Sequence, residues 1–174
     1  MYPGKGFAGQ VRTADIGFTE DSLEYSGWDG LVPEPSELER LEKQAADGNK
    51  GTFGRVLIVA GSRGMCGAAY LSGLAAYRTG AGLVKLLTVP ENREILQNQL
   101  PEAIVETYDP EELSLEEGKL FLEKQCRWAD VIVLGPGLGR EPYVCDLVEQ
   151  ILADAFVPIV LDADGLNTVR PILI

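Results

Sequence analysis

This chain of 174 residues has no histidine. That absence removes Ser-His-Asp and Cys-His catalysis and most zinc sites. Cysteine is scarce: Cys66, Cys126 and Cys145 are odd in number and widely spaced. They lack metal-ligand spacing and point to a reducing compartment. Positive charge is short as well, with 15 Lys and Arg against 27 Asp and Glu and a net charge of −12. Such a surface repels phosphate backbones and anionic lipid, which argues against nucleic acid and membrane partners. No apolar run approaches the roughly 18 residues that a bilayer demands, and no signal peptide is visible, so the cytoplasm is the expected location. What remains is ordinary for a globular domain, 45% apolar and 24% charged, and long enough for one substantial core.

Glycine is where the chain is rich. Two glycine loops, Gly61-Ser62-Arg63-Gly64-Met65-Cys66-Gly67 and Gly135-Pro136-Gly137-Leu138-Gly139, each follow a short apolar run, Val56–Ala60 and Val131–Leu134. A third apolar run, Pro158–Leu161, ends in Asp162-Ala163-Asp164-Gly165-Leu166-Asn167. Between them the rhythm alternates. Helical patterns are expected at Ala68–Thr79, Glu91–Gln99, Leu115–Arg127 and Pro142–Asp154, and further strands at Leu83–Val89 and Ile104–Tyr108. Alternating α and β with near-continuous apolar strands predicts an α/β fold, a three-layer parallel sheet with helices on both faces. The loops then gather at the carboxyl ends of the strands, where open sheets bind ligands.

The first loop reads in two ways. Backbone N–H groups opening a helix suit a phosphate, with Gly61, Gly64 and Gly67 as the cofactor-binding candidates. The plainer reading is a tight strand-to-helix turn. The spacing is G-x-x-G-x-x-G, so neither the Rossmann nor the P-loop fingerprint applies. The second loop places three glycines and a proline in five residues. Such a loop costs conformational entropy and promises little packing in return, which favours ligand contact. Asp162 is the preferred acidic candidate, for hydrogen bonds to ligand hydroxyls or a cation, while Asp164 before Gly165-Leu166 suits capping or a turn. Arg63, Arg78, Lys85 and Arg140 are the cations expected nearest the loops, Cys66 is expected to pack rather than react, and Trp128 is expected in the core.

Residues 1–18, with Tyr2-Pro3-Gly4 and a strand-like Gln10–Ile16, form a small unit of their own. Residues 19–49 read as an acidic linker with a short helix whose N-cap is Ser36 and whose Glu39 completes a capping box.

Lys50-Gly51-Thr52-Phe53-Gly54-Arg55-Val56, Ala60-Gly61-Ser62 through Gly67-Ala68-Ala69, and Arg78-Thr79-Gly80-Ala81-Gly82-Leu83-Val84 resemble the opening of the ADP- or ATP-dependent NAD(P)H-hydrate dehydratase family. Gly135–Gly139 and Leu161-Asp162-Ala163-Asp164-Gly165-Leu166-Asn167 resemble later motifs of that family, in the same order. The match covers about residues 50–168. Residues 1–18 resemble the tail of an NAD(P)H-hydrate epimerase domain, which precedes the dehydratase in bifunctional repair enzymes.

The resemblance implies a ribokinase-like fold and a repair reaction. Hydrated NADH or NADPH (NADHX or NADPHX) is phosphorylated by the nucleotide at the added hydroxyl, and elimination restores the dihydronicotinamide. It implies ADP or ATP with Mg for the full-length enzyme. By position, Ala68 and Gly139 would contact the hydrated dinucleotide, with Gly137, Asp162 and Asn167 nearby. The family continues with a threonine-proline-histidine-proline-glycine-glutamate motif, a lysine-glycine strand and a glycine-rich anion hole ending in the catalytic aspartate, none of which is found here. Residues 50–174 are therefore expected to be the N-terminal part of a truncated ribokinase-like domain, inactive alone. An exposed sheet edge makes a homo-oligomer the expected state. The rival readings are a non-catalytic α/β binding or oligomerisation module, a ribokinase-type small-molecule kinase and another dinucleotide-using enzyme such as an oxidoreductase.

Overall fold

The computed structural model describes Gly48 and residues 50–169. Residues 1–18, expected to resemble an epimerase tail, residues 19–49 of the expected linker except Gly48, and residues 170–174 lie outside them. The elements in chain order are β1 (Arg55–Val59), α1 (Cys66–Arg78), β2 (Leu83–Thr88), a 3-10 turn (Pro90–Asn92), α2 (Arg93–Gln99), β3 (Ile104–Thr107), α3 (Glu116–Trp128), β4 (Val131–Leu134), α4 (Pro142–Asp154), β5 (Ile159–Leu161) and α5 (Ala163–Val169). Every strand and helix expected between residues 56 and 161 is present, displaced by no more than two residues at its ends, while the strand expected at Gln10–Ile16 and the helix expected after Ser36 lie outside the described residues. Pro90 accounts for one difference. It opens a 3-10 turn in place of the first turn of the expected Glu91–Gln99 helix.

The five strands are parallel in the order β3-β2-β1-β4-β5. The apolar run of β1 reflects its place at the centre, where Leu57 is matched to Lys85 on one side and to Ile132 on the other. Alternate residues feed opposite layers, as the two-residue period of a strand requires. Leu57, Val59, Leu87, Ile132 and Leu134 pack with Leu122 of α3 and with Val144, Leu147 and Ile151 of α4. Ile58, Ala60, Val84, Leu86 and Val105 pack with Ala69 of α1 and with Leu96 of α2. Each of these fully buried Leu and Ile side chains contributes about 2 kcal/mol through removal from water.

The chain runs outward from β1 through β2 to β3, then returns to the opposite side of β1 as β4. At that reversal the helices that follow β1 and β4 pack on opposite faces of the sheet, the arrangement in which open sheets characteristically offer a ligand crevice at the carboxyl ends of the strands. Trp128 is partly buried rather than central. Its ring carries the Lys85 ammonium at 4.1 Å, and Lys85 also donates to Gln125 Oε1 at 2.8 Å. Burial lowers the Lys85 pKa, opposed by Glu106 and reinforced by Lys124. Among the described residues, no helix is long and apolar enough to cross a membrane.

Candidate functional site

Both glycine loops lie at the reversal point, one after β1 and one after β4, and they touch. The Gly61 N–H donates to the Pro136 carbonyl at 2.9 Å. Gly137 has φ +64, and a Cβ there would lie 2.6 Å from the Ala68 Cβ. Gly135 has φ +126, and a Cβ there would lie 1.9 Å from the Asp162 carbonyl oxygen. Glycine at 135 and 137 is thus demanded by chain-to-chain contact. This corrects the expectation that the second loop offers little packing: two of its three glycines let it settle onto α1 and onto the β5–α5 junction.

The first loop divides into a held part and an open part. Gly61 is buried, with its N–H taken by Pro136 and its carbonyl accepting from Thr88 Oγ1 at 3.0 Å. Asn92 Nδ2 donates to the Ser62 carbonyl at 3.2 Å and to Thr88 Oγ1 at 2.9 Å. Thr88 and Asn92 are buried, so this small network stiffens the loop from below. Gly64 and Gly67 are exposed, and a Cβ at either would meet open space. Helix α1 begins between them without a side-chain cap or an acidic residue in its first turn.

The carboxylates behave differently from expectation. Asp162 is exposed; its backbone N–H donates to the Leu134 carbonyl at 3.0 Å, and its carbonyl accepts from the Gly165 N–H at 2.9 Å. Asp164, expected to serve a cap or turn, accepts the Gly139 N–H on Oδ2 at 2.9 Å. Asn167, exposed on α5, donates to the other Asp164 oxygen at 3.4 Å. Between the two aspartates, Ala163 has φ +47, the single non-glycine residue with a positive φ among those described. A left-handed alanine costs about 1–2 kcal/mol.

Ala68, Gly137, Gly139 and Gly61 therefore come together, with Asp162 and Asn167 on the neighbouring junction. Two of the four expected cations do not reach the loops. Arg78 lies at the far end of α1, and Lys85 is held in mid-strand by Gln125 and Trp128. Arg63 and Arg140 remain in the loops and are exposed. Thr88 and Asn92 went unnoticed in the sequence, although two polar residues four apart at the end of a buried apolar strand are a usable signal. Among the described residues, no cluster of three or more His, Cys, Asp or Glu side chains could hold a metal. Chemically the crevice offers backbone groups, small side chains and two carboxylates, which suits holding a polar ligand more than transforming it.

Residues 56–171 match the family described as NAD(P)H-hydrate dehydratase. The chain is similar to the bifunctional NAD(P)H-hydrate repair enzyme Nnr of Moorella thermoacetica, 34% identical over 95% of this chain and 32% of that protein. It is similar to the ADP-dependent (S)-NAD(P)H-hydrate dehydratase of Lactiplantibacillus plantarum, 38% identical over 71% of this chain and 41% of that protein. Among solved structures, the ADP/ATP-dependent NAD(P)H-hydrate dehydratase of Bacillus subtilis, co-crystallised with ATP and Mg2+, is 32% identical, with TM-score 0.58 over 72% of this chain and 43% of that one. A ribokinase-like superfamily protein of Enterococcus faecalis is 28% identical, with TM-score 0.67 over 76% of this chain and 44% of that one. The chain thus spans less than half the length of each of these relatives.

Proposed function

We propose that this chain, which belongs to the NAD(P)H-hydrate dehydratase family, holds the hydrated dinucleotide for nucleotide-dependent dehydration of NADHX or NADPHX to NADH or NADPH. The observation that carries the reading is the contact of the two glycine loops at the sheet's reversal point, with Gly137 seated on Ala68. In this reading Ala68, Gly137 and Gly139 line the seat of the hydrated dinucleotide, and Asp162 and Asn167 border it with groups suited to ribose or ring hydroxyls. Gly64 and Gly67 offer unobstructed backbone at the start of α1, where partial positive charge suits a phosphate. Gly61 serves the same seat as its buried brace.

The nucleotide, ADP or ATP, supplies the phosphoryl group that turns the added hydroxyl into a leaving group. No described cluster provides a ligand set for its magnesium. The contribution argued for this chain is binding and orientation. Localisation in the cytoplasm and self-association remain part of the same reading. Among the described residues β5 pairs only with β4, and a free side on this strand supports self-association.

Titration of the chain with NADHX, followed by calorimetry, tests the reading, and NADH and ADP serve as comparison ligands. Saturable binding of NADHX is expected. No binding of any of the three would remove the dinucleotide assignment. Recovery of reduced-nicotinamide absorbance on adding ADP or ATP would show that the chain also turns over, against the expectation that it is inactive alone.

A further inference from the structure

The second glycine loop is anchored by the fully buried Leu138 side chain and by the close packing of Gly135 and Gly137, but its backbone is hydrogen-bonded to the body of the fold at few points. The Gly135 N–H donates to the Val59 carbonyl at 3.1 Å, and the Pro136 carbonyl accepts from Gly61 at 2.9 Å. Both anchors lie at the start of the loop and lead to β1 or the segment after it. The turn from Leu138 N–H to the Gly135 carbonyl, 3.2 Å, is internal to the loop. At the far end the bond from Gly139 N–H to Asp164 Oδ2, 2.9 Å, leads to a different part of the sheet, the β5–α5 junction. That junction is itself over-determined. Left-handed Ala163 turns the chain in one residue, the Asp162 carbonyl abuts Gly135, and a Cβ on Gly165 would stand 2.8 Å from the Leu134 carbonyl. Strain of this kind persists only where the surroundings enforce it. Here its effect is to bring the Asp164 carboxylate over the loop.

We infer that Asp164 is a positioning residue: its carboxylate fixes the Gly137–Gly139 segment against Ala68 in the geometry that receives the hydrated dinucleotide. The inference rests on the binding role proposed above. It carries a chemical corollary. Because the Gly139 N–H is already donated to Asp164, Gly139 meets a ligand through its CαH2 and carbonyl, not as an N–H donor. A charge-assisted bond of this type is stronger than a neutral one. Asn167, which donates to the other carboxylate oxygen, steadies the same group.

The test compares Asp164→Ala, which removes the acceptor, with Asp164→Asn, whose amide oxygen still accepts from Gly139, in the whole 174-residue chain. Two readouts are taken: the dissociation constant for NADHX, and hydrogen exchange at the Gly139 amide. Asp164→Ala is expected to weaken NADHX binding roughly tenfold and to speed exchange at Gly139, while Asp164→Asn stays within about twofold of the unmutated chain on both. An alanine variant that binds NADHX as well as the unmutated chain overturns the inference, even if it is less stable, because a helix-capping aspartate would give that result. If the unmutated chain does not bind NADHX, the binding role fails on its own. Gly139 exchange then decides the brace separately, unchanged exchange in Asp164→Ala overturning it. Should the alanine variant fail to fold, an unprotected Gly139 amide in the unmutated chain is the refuting result.

Discussion

Gly137→Ala probes the contact on which the binding site is built. Two effects add at this position. The backbone has φ +64, where an alanine costs about 1–2 kcal/mol, reduced by about 0.5 kcal/mol because alanine also restricts the unfolded chain. The new Cβ would stand 2.6 Å from the Ala68 Cβ and 3.4 Å from the Met65 Cβ. Carbon atoms prefer about 3.5–4.0 Å, so the loop must retreat by about 1 Å. Overpacking of this size costs a further 1–3 kcal/mol, roughly. The sum is about 3 kcal/mol, or a fall in melting temperature of about 8 °C for a domain of this size. Gly64→Ala is the matched control: its φ is +83, but a Cβ there meets nothing within 4 Å. It should lose about 1 kcal/mol, the backbone part alone. Urea unfolding of both variants, of Ala68→Gly alone, and of Gly137→Ala combined with Ala68→Gly isolates the steric part as a coupling of about 1–2 kcal/mol. NADHX binding should weaken in Gly137→Ala and recover in part in the double variant. Equal losses from Gly137→Ala and Gly64→Ala, or no recovery in the double variant, would refute the loop contact.

Asn92→Ala removes the donor to both the Ser62 carbonyl and the Thr88 hydroxyl in a buried setting, and should cost about 1–3 kcal/mol in chemical unfolding; a loss below about 0.5 kcal/mol would mean that the network does not brace the loop. Tyr108 is buried with a hydroxyl that finds no hydrogen-bond partner among the described residues, and burial, with Tyr143 nearby, pushes its pKa up. Tyr108→Phe should therefore be neutral or stabilising by up to about 1 kcal/mol, and a clear loss of stability would reveal a partner for the hydroxyl. The Asp130 carboxylate accepts from the Arg55 side chain and backbone N–H, which hold its pKa below the usual range. A lowered native pKa adds stability that is complete above the unfolded value, about pH 4, and disappears as pH falls through the native one. Asp130→Asn should thus flatten the acid limb of the stability curve at low salt while leaving its slope near neutrality unchanged; an unaltered acid limb would show that the pair does not couple to folding.

Much of this protein can be read from its one-dimensional pattern. Apolar runs such as Val131–Leu134 and the helical spacing of Pro142–Asp154 are local properties, and local periodicity chooses strand or helix. Parallel strands place every strand-to-helix turn on one edge, so the meeting of both glycine loops and the Asp162–Asn167 segment near a single crevice also follows from element order. Tertiary structure decided which side chains do what there. Along the chain Asp162 reads as the ligand-facing carboxylate and Asp164 as a cap or turn residue, yet left-handed Ala163 lies between an exposed Asp162 and an Asp164 whose carboxylate reaches Gly139, 25 residues away. Gly135 and Gly137 look like ligand-facing glycines until the Asp162 carbonyl and the Ala68 methyl are seen pressed against them. Lys85 looks available to an anion, but strand register aims it at Gln125 and Trp128. The physical reason is common to all three. Local sequence determines backbone state, whereas a contact between distant segments depends on register and on angles between elements, to which single-residue preferences contribute nothing.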